Sequence, residues 1–333
     1  MIPVKANPKA PDDWRAQLRS AWRDPRALLE HLELDAKRFS LVDAGPFPIR
    51  VPRAFSNRMR RGDADDPLLR QVLPLAAENQ PSQGFVSDPV GDAASRASGG
   101  VLHKYHGRAL LIATGACAIH CRYCFRREFD YADSQITSSS LAAAADYIRA
   151  SGDISEVILS GGDPWMLSNE RLARISDALA DIPALERLRI HTRMPITLPD
   201  RVDSGLLDWL KRLPWQTVVV VHANHAQEFD DEVDAALARL RQAGATIFNQ
   251  AVLLAGVNDR LEDLHELMKT GFRAGAIPYY LHLLDRVSGS AHFEVGSRQA
   301  GALMDQLRRK LPGYLVPRLV REQAGAPYKL PIF

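Results

Sequence analysis

The stretch CAIHCRYCFRREF occupies residues 117–129 and holds every cysteine of the chain: Cys117, Cys121 and Cys124. It directly follows RALLIAT, a run of apolar residues at 108–114 that reads as a strand, so the thiols sit in a loop at a strand end. Three clustered thiols do not resemble a secreted disulfide framework and suit a cytoplasm in which thiols stay reduced. Cysteine thiolates are the usual ligands of iron–sulfur clusters. Three ligands on a four-iron cubane leave one iron open, and an open coordination site implies catalysis. On spacing alone, a Cys3His zinc site completed by His120, or three unrelated buried thiols, stays open as well.

Outward from that loop, from residue 108, the pattern becomes rhythmic. RALLIAT, EVILSGG, RLRIHTR, TVVVVHAN, TIFNQAVLL and YYLHLLD alternate with helical stretches such as SSLAAAADYIRAS, SNERLARISDALAD, DEVDAALARLRQAG and RLEDLHELMKTGF. Nearly continuous apolar strands separated by amphipathic helices predict an α/β fold with a parallel sheet covered by helices. Six βα units are too few for a closed eight-fold barrel, so the expectation is an open, partial (βα)6 barrel. Chemistry in such barrels gathers at the C-terminal ends of the strands.

Before the barrel, residues 12–75 read as helical and arginine-rich, with proline closing DPLLRQVLP, and residues 78–100 as a long ordered loop or linker rich in Gly, Ser, Asp and Pro. Net charge is +2, from 42 basic and 40 acidic residues, which gives no global pull toward nucleic acid or membrane. The arginine cluster at residues 58–61 reads as solvated surface. No apolar run approaches the roughly 20 residues that span a bilayer, and the first residues lack a secretory core.

The motif C-x3-C-x-Φ-C, with Tyr123 as the aromatic Φ, resembles the signature of radical S-adenosylmethionine enzymes, which commonly use partial (βα)6 barrels. That resemblance implies a [4Fe–4S] cluster on Cys117, Cys121 and Cys124, S-adenosyl-L-methionine on its open iron, and Tyr123 near the adenine. Gly161, Gly162 and Asp163 in LSGGDP resemble the glycine-rich segment that receives the methionyl amino group. CRYCFRR, HTRMPITLPDRV, NQAVLLAGVND, PYYLHLLD and VPRLVREQAGAPYKLP are similar, in order, to segments of the lysine 2,3-aminomutases, from about residue 51 to the chain end. These enzymes also carry pyridoxal 5′-phosphate on a lysine near the end of the chain, which matches Lys329.

The same resemblance implies the remaining roles. Arg126 holds the substrate carboxylate, Asp285 and Glu322 hold the ε-ammonium of L-lysine, Lys104 and Arg108 meet the cofactor phosphate, and Gln250 meets the adenosyl group. His222 and His225 face the same mouth, with a structural role expected for each. Glu322 stands where the family has aspartate and Lys104 where it has arginine. The short form of the chain looks most like the elongation factor P β-lysylation branch, which makes (R)-β-lysine for a separate lysyl ligase. It implies no structural zinc, no nucleic-acid or membrane partner, and a cytoplasmic enzyme; a homo-oligomer is left open. The implied organisation is a helical region and linker at 1–100, a barrel at 101–312 and a cofactor-bearing segment at 313–333. Two alternatives remain: an aminomutase acting on a free pool of lysine or another amino acid, and a zinc-stapled binding module of the translation apparatus.

Overall fold

The computed structural model describes residues 13–42, 45, 47–131 and 136–333. Its centre is built by the apolar runs. TVVVVH leaves Val219, Val220 and Val221 without solvent exposure, and Leu159, Ile190 and Leu281 are equally buried in neighbouring strands. Runs without polar alternation need cover on both faces, which a sheet curled under helices supplies.

Nine strands form one sheet in chain order: β1 Val101–Tyr105, β2 Arg108–Thr114, β3 Glu156–Gly161, β4 Arg187–Thr192, β5 Gln216–His222, β6 Thr246–Val252, β7 Ile277–His282, β8 Arg318–Arg321 and β9 Leu330–Pro331. β2 to β8 run parallel, and β1 and β9 are antiparallel edges. The six expected strands are β2 to β7, and the barrel is partial, as the unit count predicts. The short strands β1, β8 and β9 were not anticipated. HKYHGRALL hides a tight hairpin, and each C-terminal strand is too short to show periodicity.

Eleven α-helices flank the sheet among the described residues: α1 Asp13–Arg19, α2 Pro25–His31, α3 Arg53–Ser56, α4 Pro67–Arg70, α5 Ser138–Ser151, α6 Asn169–Leu179, α7 Met194–Thr197, α8 Ser204–Arg212, α9 Asp231–Gln242, α10 Leu261–Ala274 and α11 Ser297–Lys310. Their ends follow from local chemistry. Asp230 caps α9 by accepting from the Val233 amide at 2.9 Å, with acids in the first turn and Arg239 and Arg241 in the last, as the helix dipole favours. α10 buries Leu264, Leu267, Met268 and Gly271 on one stripe and ends at Gly275, whose φ of 96° suits a left-handed cap.

The N-terminal region is less helical than expected. Pro48, Pro52, Pro67 and Pro74 punctuate it, and among the described residues no helix there exceeds seven residues. It has a separate apolar cluster around Leu28, Leu29, Phe55 and Leu68, which reaches Ile119 and Cys121 of the cysteine loop. Arg58 departs from the solvated expectation. Its side chain is 7% exposed, pairs with Asp230 at 3.4 Å and donates to the Ile196 carbonyl at 2.5 Å, tying this region to the barrel. Arg60 and Arg61 are exposed. No helix among the described residues is long and apolar enough to cross a membrane.

Candidate active site

A cavity of about 1540 Å³ opens over the C-terminal ends of the parallel strands. Among the residues expected from the sequence, Lys104, Arg108, Cys117, Cys121, Tyr123, Cys124, Arg126, Gly161, Gly162, Asp163, Gln250, Asp285, Glu322 and Lys329 line it. Its volume exceeds the 300–1,000 Å³ typical of a pocket for one small ligand.

The cysteine loop leaves β2 where the pairing with β3 slips between Ile112 and Thr114. Arg122, inside the loop, has no solvent exposure. It donates Nε to Glu78 at 2.8 Å and Nη1 to the Phe47 carbonyl at 2.8 Å, while Arg127 reaches the same carboxylate at 2.8 Å. Burial pushes the Glu78 carboxyl up, but the two guanidinium groups outweigh it and hold it below the usual range. Glu78→Gln leaves a buried arginine short of its counter-charge, which should cost about 3 kcal/mol. A urea unfolding midpoint lowered by that energy divided by an unchanged slope is the expected result.

Burial and then Cys121 push the Cys124 thiol up to about 11, and burial and then Cys124 push Cys117 well above its ordinary value. Thiols that oppose one another's ionisation are a site for a cation. Among the described residues no three His, Cys, Asp or Glu side chains are close enough to share a single metal ion. His120 donates from Nδ1 to the Pro48 carbonyl at 2.6 Å and stacks on Phe47, and among the described residues it joins no group of three ligands of the kind the zinc alternative needs.

At the end of β3 the chain packs backbone to backbone against the cysteine loop. The Gly162 amide donates to the Thr114 carbonyl at 2.7 Å and the Asp163 amide to the Ala116 carbonyl at 2.8 Å. A Cβ on Gly161 (φ 120°) or Gly162 would lie 2.5 Å from the carbonyl oxygen of Thr114 or Ala116. Both positions therefore require glycine for packing. Asp163 accepts from Thr192 Oγ1 at 2.7 Å, the Trp165 amide at 3.0 Å and the Arg193 amide at 2.7 Å. Its carboxylate clamps the ends of β3 and β4 together, and burial raises it to about 6 against those donors.

Arg193, in the segment after β4, was not singled out in the sequence. It donates to Cys121 Sγ at 2.7 Å, Tyr123 Oη at 2.8 Å, Gln71 at 2.7 Å and Glu228 at 2.8 Å. Asn224 donates to the same phenol at 2.6 Å, so Tyr123 is anchored through its hydroxyl while its ring meets Phe293 edge-on. His222 lines the cavity and contacts Gln250 at 2.8 Å. His225 does not line it and accepts from the Gln227 amide, a structural role. Burial lowers His222 to about 3 and leaves His191 and His282 well below the ordinary range, so all three are neutral.

The far wall carries a chain of alternating charges. Arg126 Nε donates to Asp92 at 2.7 Å, and Lys104 Nζ donates to Asp92 at 2.6 Å, to Glu322 at 3.2 Å and to the Val90 carbonyl at 2.8 Å. Lys329 donates to the other oxygen of Glu322. Burial pushes Glu322 up, but Lys329 and Lys104 outweigh it and hold the carboxyl at about 2. Asp285 goes the other way: burial and neighbouring Glu322 raise it to about 7. Lys104 thus has its three protons on carboxylates and a carbonyl, none directed to a phosphate. Arg108 lies over the Tyr105 ring and makes no ion pair among the described residues. Asp92, 1% exposed, was not singled out either, although the segment that carries it was. Nothing in a Gly- and Asp-rich loop marks one acid as buried.

With that geometry in hand, comparisons with known proteins are specific. The Radical SAM superfamily is matched over residues 111–269. The L-lysine 2,3-aminomutase of Escherichia coli (strain K12) is 43% identical over 332 residues, 99% of this chain and 97% of that one. The enzyme of the same name from Haemophilus influenzae is 40% identical, covering 99% and 98%. The chain belongs to the lysine 2,3-aminomutase family. Its Clostridium subterminale member is 31% identical, with 96% of this chain covering 78% of the longer protein.

Lysine 2,3-aminomutases of the radical S-adenosylmethionine class use the cluster, the sulfonium cosubstrate and pyridoxal phosphate, and the residues present fit all three. Three thiols line one cavity, a primary amine enters it at Lys329, and Arg108 offers a guanidinium with no anion paired to it among the described residues. His191 Nε2, His282 Nε2 and Arg189 Nε, on residues of its lining, are buried without a hydrogen-bond partner among the described residues.

Proposed function

We propose that the protein is a lysine 2,3-aminomutase that converts L-lysine to (R)-β-lysine, with the product destined for β-lysylation of elongation factor P. The observation that supports it best is one cavity shared by three cysteines, the amine of Lys329, the guanidinium of Arg126 and the acid pair Glu322 and Asp285. The amino group leaves C2 for C3 and a hydrogen makes the reverse passage, so no external oxidant is consumed.

Cys117, Cys121 and Cys124 would hold the cluster, the Gly161–Gly162 backbone and Gln250 the cosubstrate beside Tyr123, and Lys329 and Arg108 the pyridoxal phosphate. When bound, these groups supply one-electron hydrogen-atom chemistry and a carrier for the migrating nitrogen. The chain's own residues supply alignment. Nη2 of Arg126 has no partner among the described residues, while Asp92 and Ser160 fix the rest of its fork, leaving an edge for the substrate carboxylate. Glu322 and Asp285 together read a cationic side chain. The three neutral histidines line the interior without adding positive charge near that cation. Lys104 belongs to the charge chain in this proposal, and the phosphate falls to Arg108.

Anaerobic incubation with L-lysine, S-adenosylmethionine, pyridoxal phosphate and reductant, followed by chiral separation and mass spectrometry, tests the reaction. (R)-β-lysine is the expected product; turnover of glutamate and not lysine sinks the acid-pair argument. Adding elongation factor P and its lysyl ligase then distinguishes product used for β-lysylation from product released to a free pool.

Asp285 gives the reaction a pH signature. As pH falls through about 7 its carboxylate takes a proton and holds the ammonium less well, so KM for lysine should rise. Stability runs the opposite way: a carboxyl raised in the folded state stabilises the protein below its unfolded value, and that contribution is lost as pH rises toward about 7. Asp285→Asn should flatten both profiles, read by KM and by urea midpoint across about pH 5 to 8.

A further inference from the structure

Arg126 and Glu322, which the proposed function assigns to the two ends of the substrate, are joined by only two other side chains. Asp92 accepts from Arg126 Nε at 2.7 Å with one oxygen and from Lys104 at 2.6 Å with the other. Lys104 then holds Glu322 at 3.2 Å. The link joins the loop before β1 and β1 itself to the cysteine loop and, far along the chain, to the residue that follows β8. It also crosses the opening of the partial barrel. β1 forms one edge of the sheet, β8 and β9 the other, and the two edges do not pair.

The members are held too firmly to be an incidental surface network. The side chains of Asp92, Arg126, Glu322 and Lys104 are 2%, 7%, 15% and 16% exposed. Asp88 pins the loop from behind, accepting from the amides of Asp92 and Ala93 at 2.9 Å each. Lys104 is further fixed by the Val90 carbonyl at 2.8 Å. Buried, linked ion pairs resist displacement, because moving one group strands another charge in a low dielectric.

We propose that Asp92 and Lys104 are positioning residues that form a strut across the barrel opening, setting the separation between Arg126 and Glu322 and so selecting a diamino acid of lysine's length. The inference rests on the aminomutase reading, which assigns those two residues to the carboxylate and the ammonium. A rigid separation discriminates against a substrate one methylene shorter, because a carboxylate or an ammonium is then left without its partner. One methylene is ordinarily worth about 10- to 200-fold.

The test is calorimetric titration of L-lysine and L-ornithine into pyridoxal-phosphate-loaded protein without S-adenosylmethionine, so that no turnover intervenes. The wild-type protein should prefer lysine by about 10-fold or more. Lys104→Met and Asp92→Asn should each bring the two ligands within about threefold, mainly by weakening lysine, while Lys104→Arg retains most of the preference. Asp92→Asn, which keeps the shape of the side chain, carries the test if Lys104→Met fails to fold. Variants that weaken both ligands by the same factor overturn the strut, as does a wild-type protein that binds the two equally. A wild-type protein that binds neither overturns the aminomutase reading itself.

Discussion

Anaerobic reconstitution of the Cys121→Ala protein with iron and sulfide is expected to give no stable cluster and turnover at least about 10⁴-fold below wild type. Two thiols remain, and a cubane held at only two corners in an open cavity is exposed to exchange and loss. Cys121 is held from several sides. It packs against the N-terminal apolar cluster, accepts from Arg193 at 2.7 Å and closes the turn that receives the Cys124 amide at 3.0 Å. Visible absorption and iron and sulfide content measure the cluster, and β-lysine formation measures turnover. A variant that keeps a full complement of iron with wild-type turnover would remove the cluster from the mechanism and with it the assignment of this loop.

Lys329→Ala should have the second largest effect, and by a separable route. The cluster should load normally, while the absorbance of covalently held pyridoxal phosphate disappears and turnover falls at least about 10³-fold. Its second signature is electrostatic. Lys329 is the larger of the two counter-charges holding Glu322 at about 2. A carboxyl depressed in this way stabilises the fold above its unfolded value, and that contribution is lost as pH falls through about 2. Without the ammonium, burial works on Glu322 against Lys104 as its main remaining counter-charge, its pKa rises and the variant should lose acid stability at a higher pH than wild type. Iron content, difference absorption and acid unfolding separate the three consequences.

How far the site could be read from the chain depended on how its residues are distributed. Cys117, Cys121, Tyr123, Cys124 and Arg126 lie within ten positions of one loop, so their spacing alone carries the chemistry. Gly161, Gly162 and Asp163 were equally visible, yet packing gives them a further reason to be there. The glycines admit two carbonyls of the cysteine loop, and the aspartate clamps two strand ends. Lys104 was visible as a basic residue on the right wall, but its partners were not.

Sequence by itself determined the parallel strand–helix alternation, the open barrel and the three-thiol loop, because hydrophobic period and ligand spacing are properties of contiguous residues. Tertiary structure alone decided that Arg193 braces Cys121 and Tyr123, that Arg58 is buried, and that Asp92 joins Arg126 to Lys104 and Glu322 across the unpaired sheet edges. Those contacts link residues from a dozen to more than two hundred positions apart. Buried charges choose their partners only after the apolar surfaces have packed and removed water from between them.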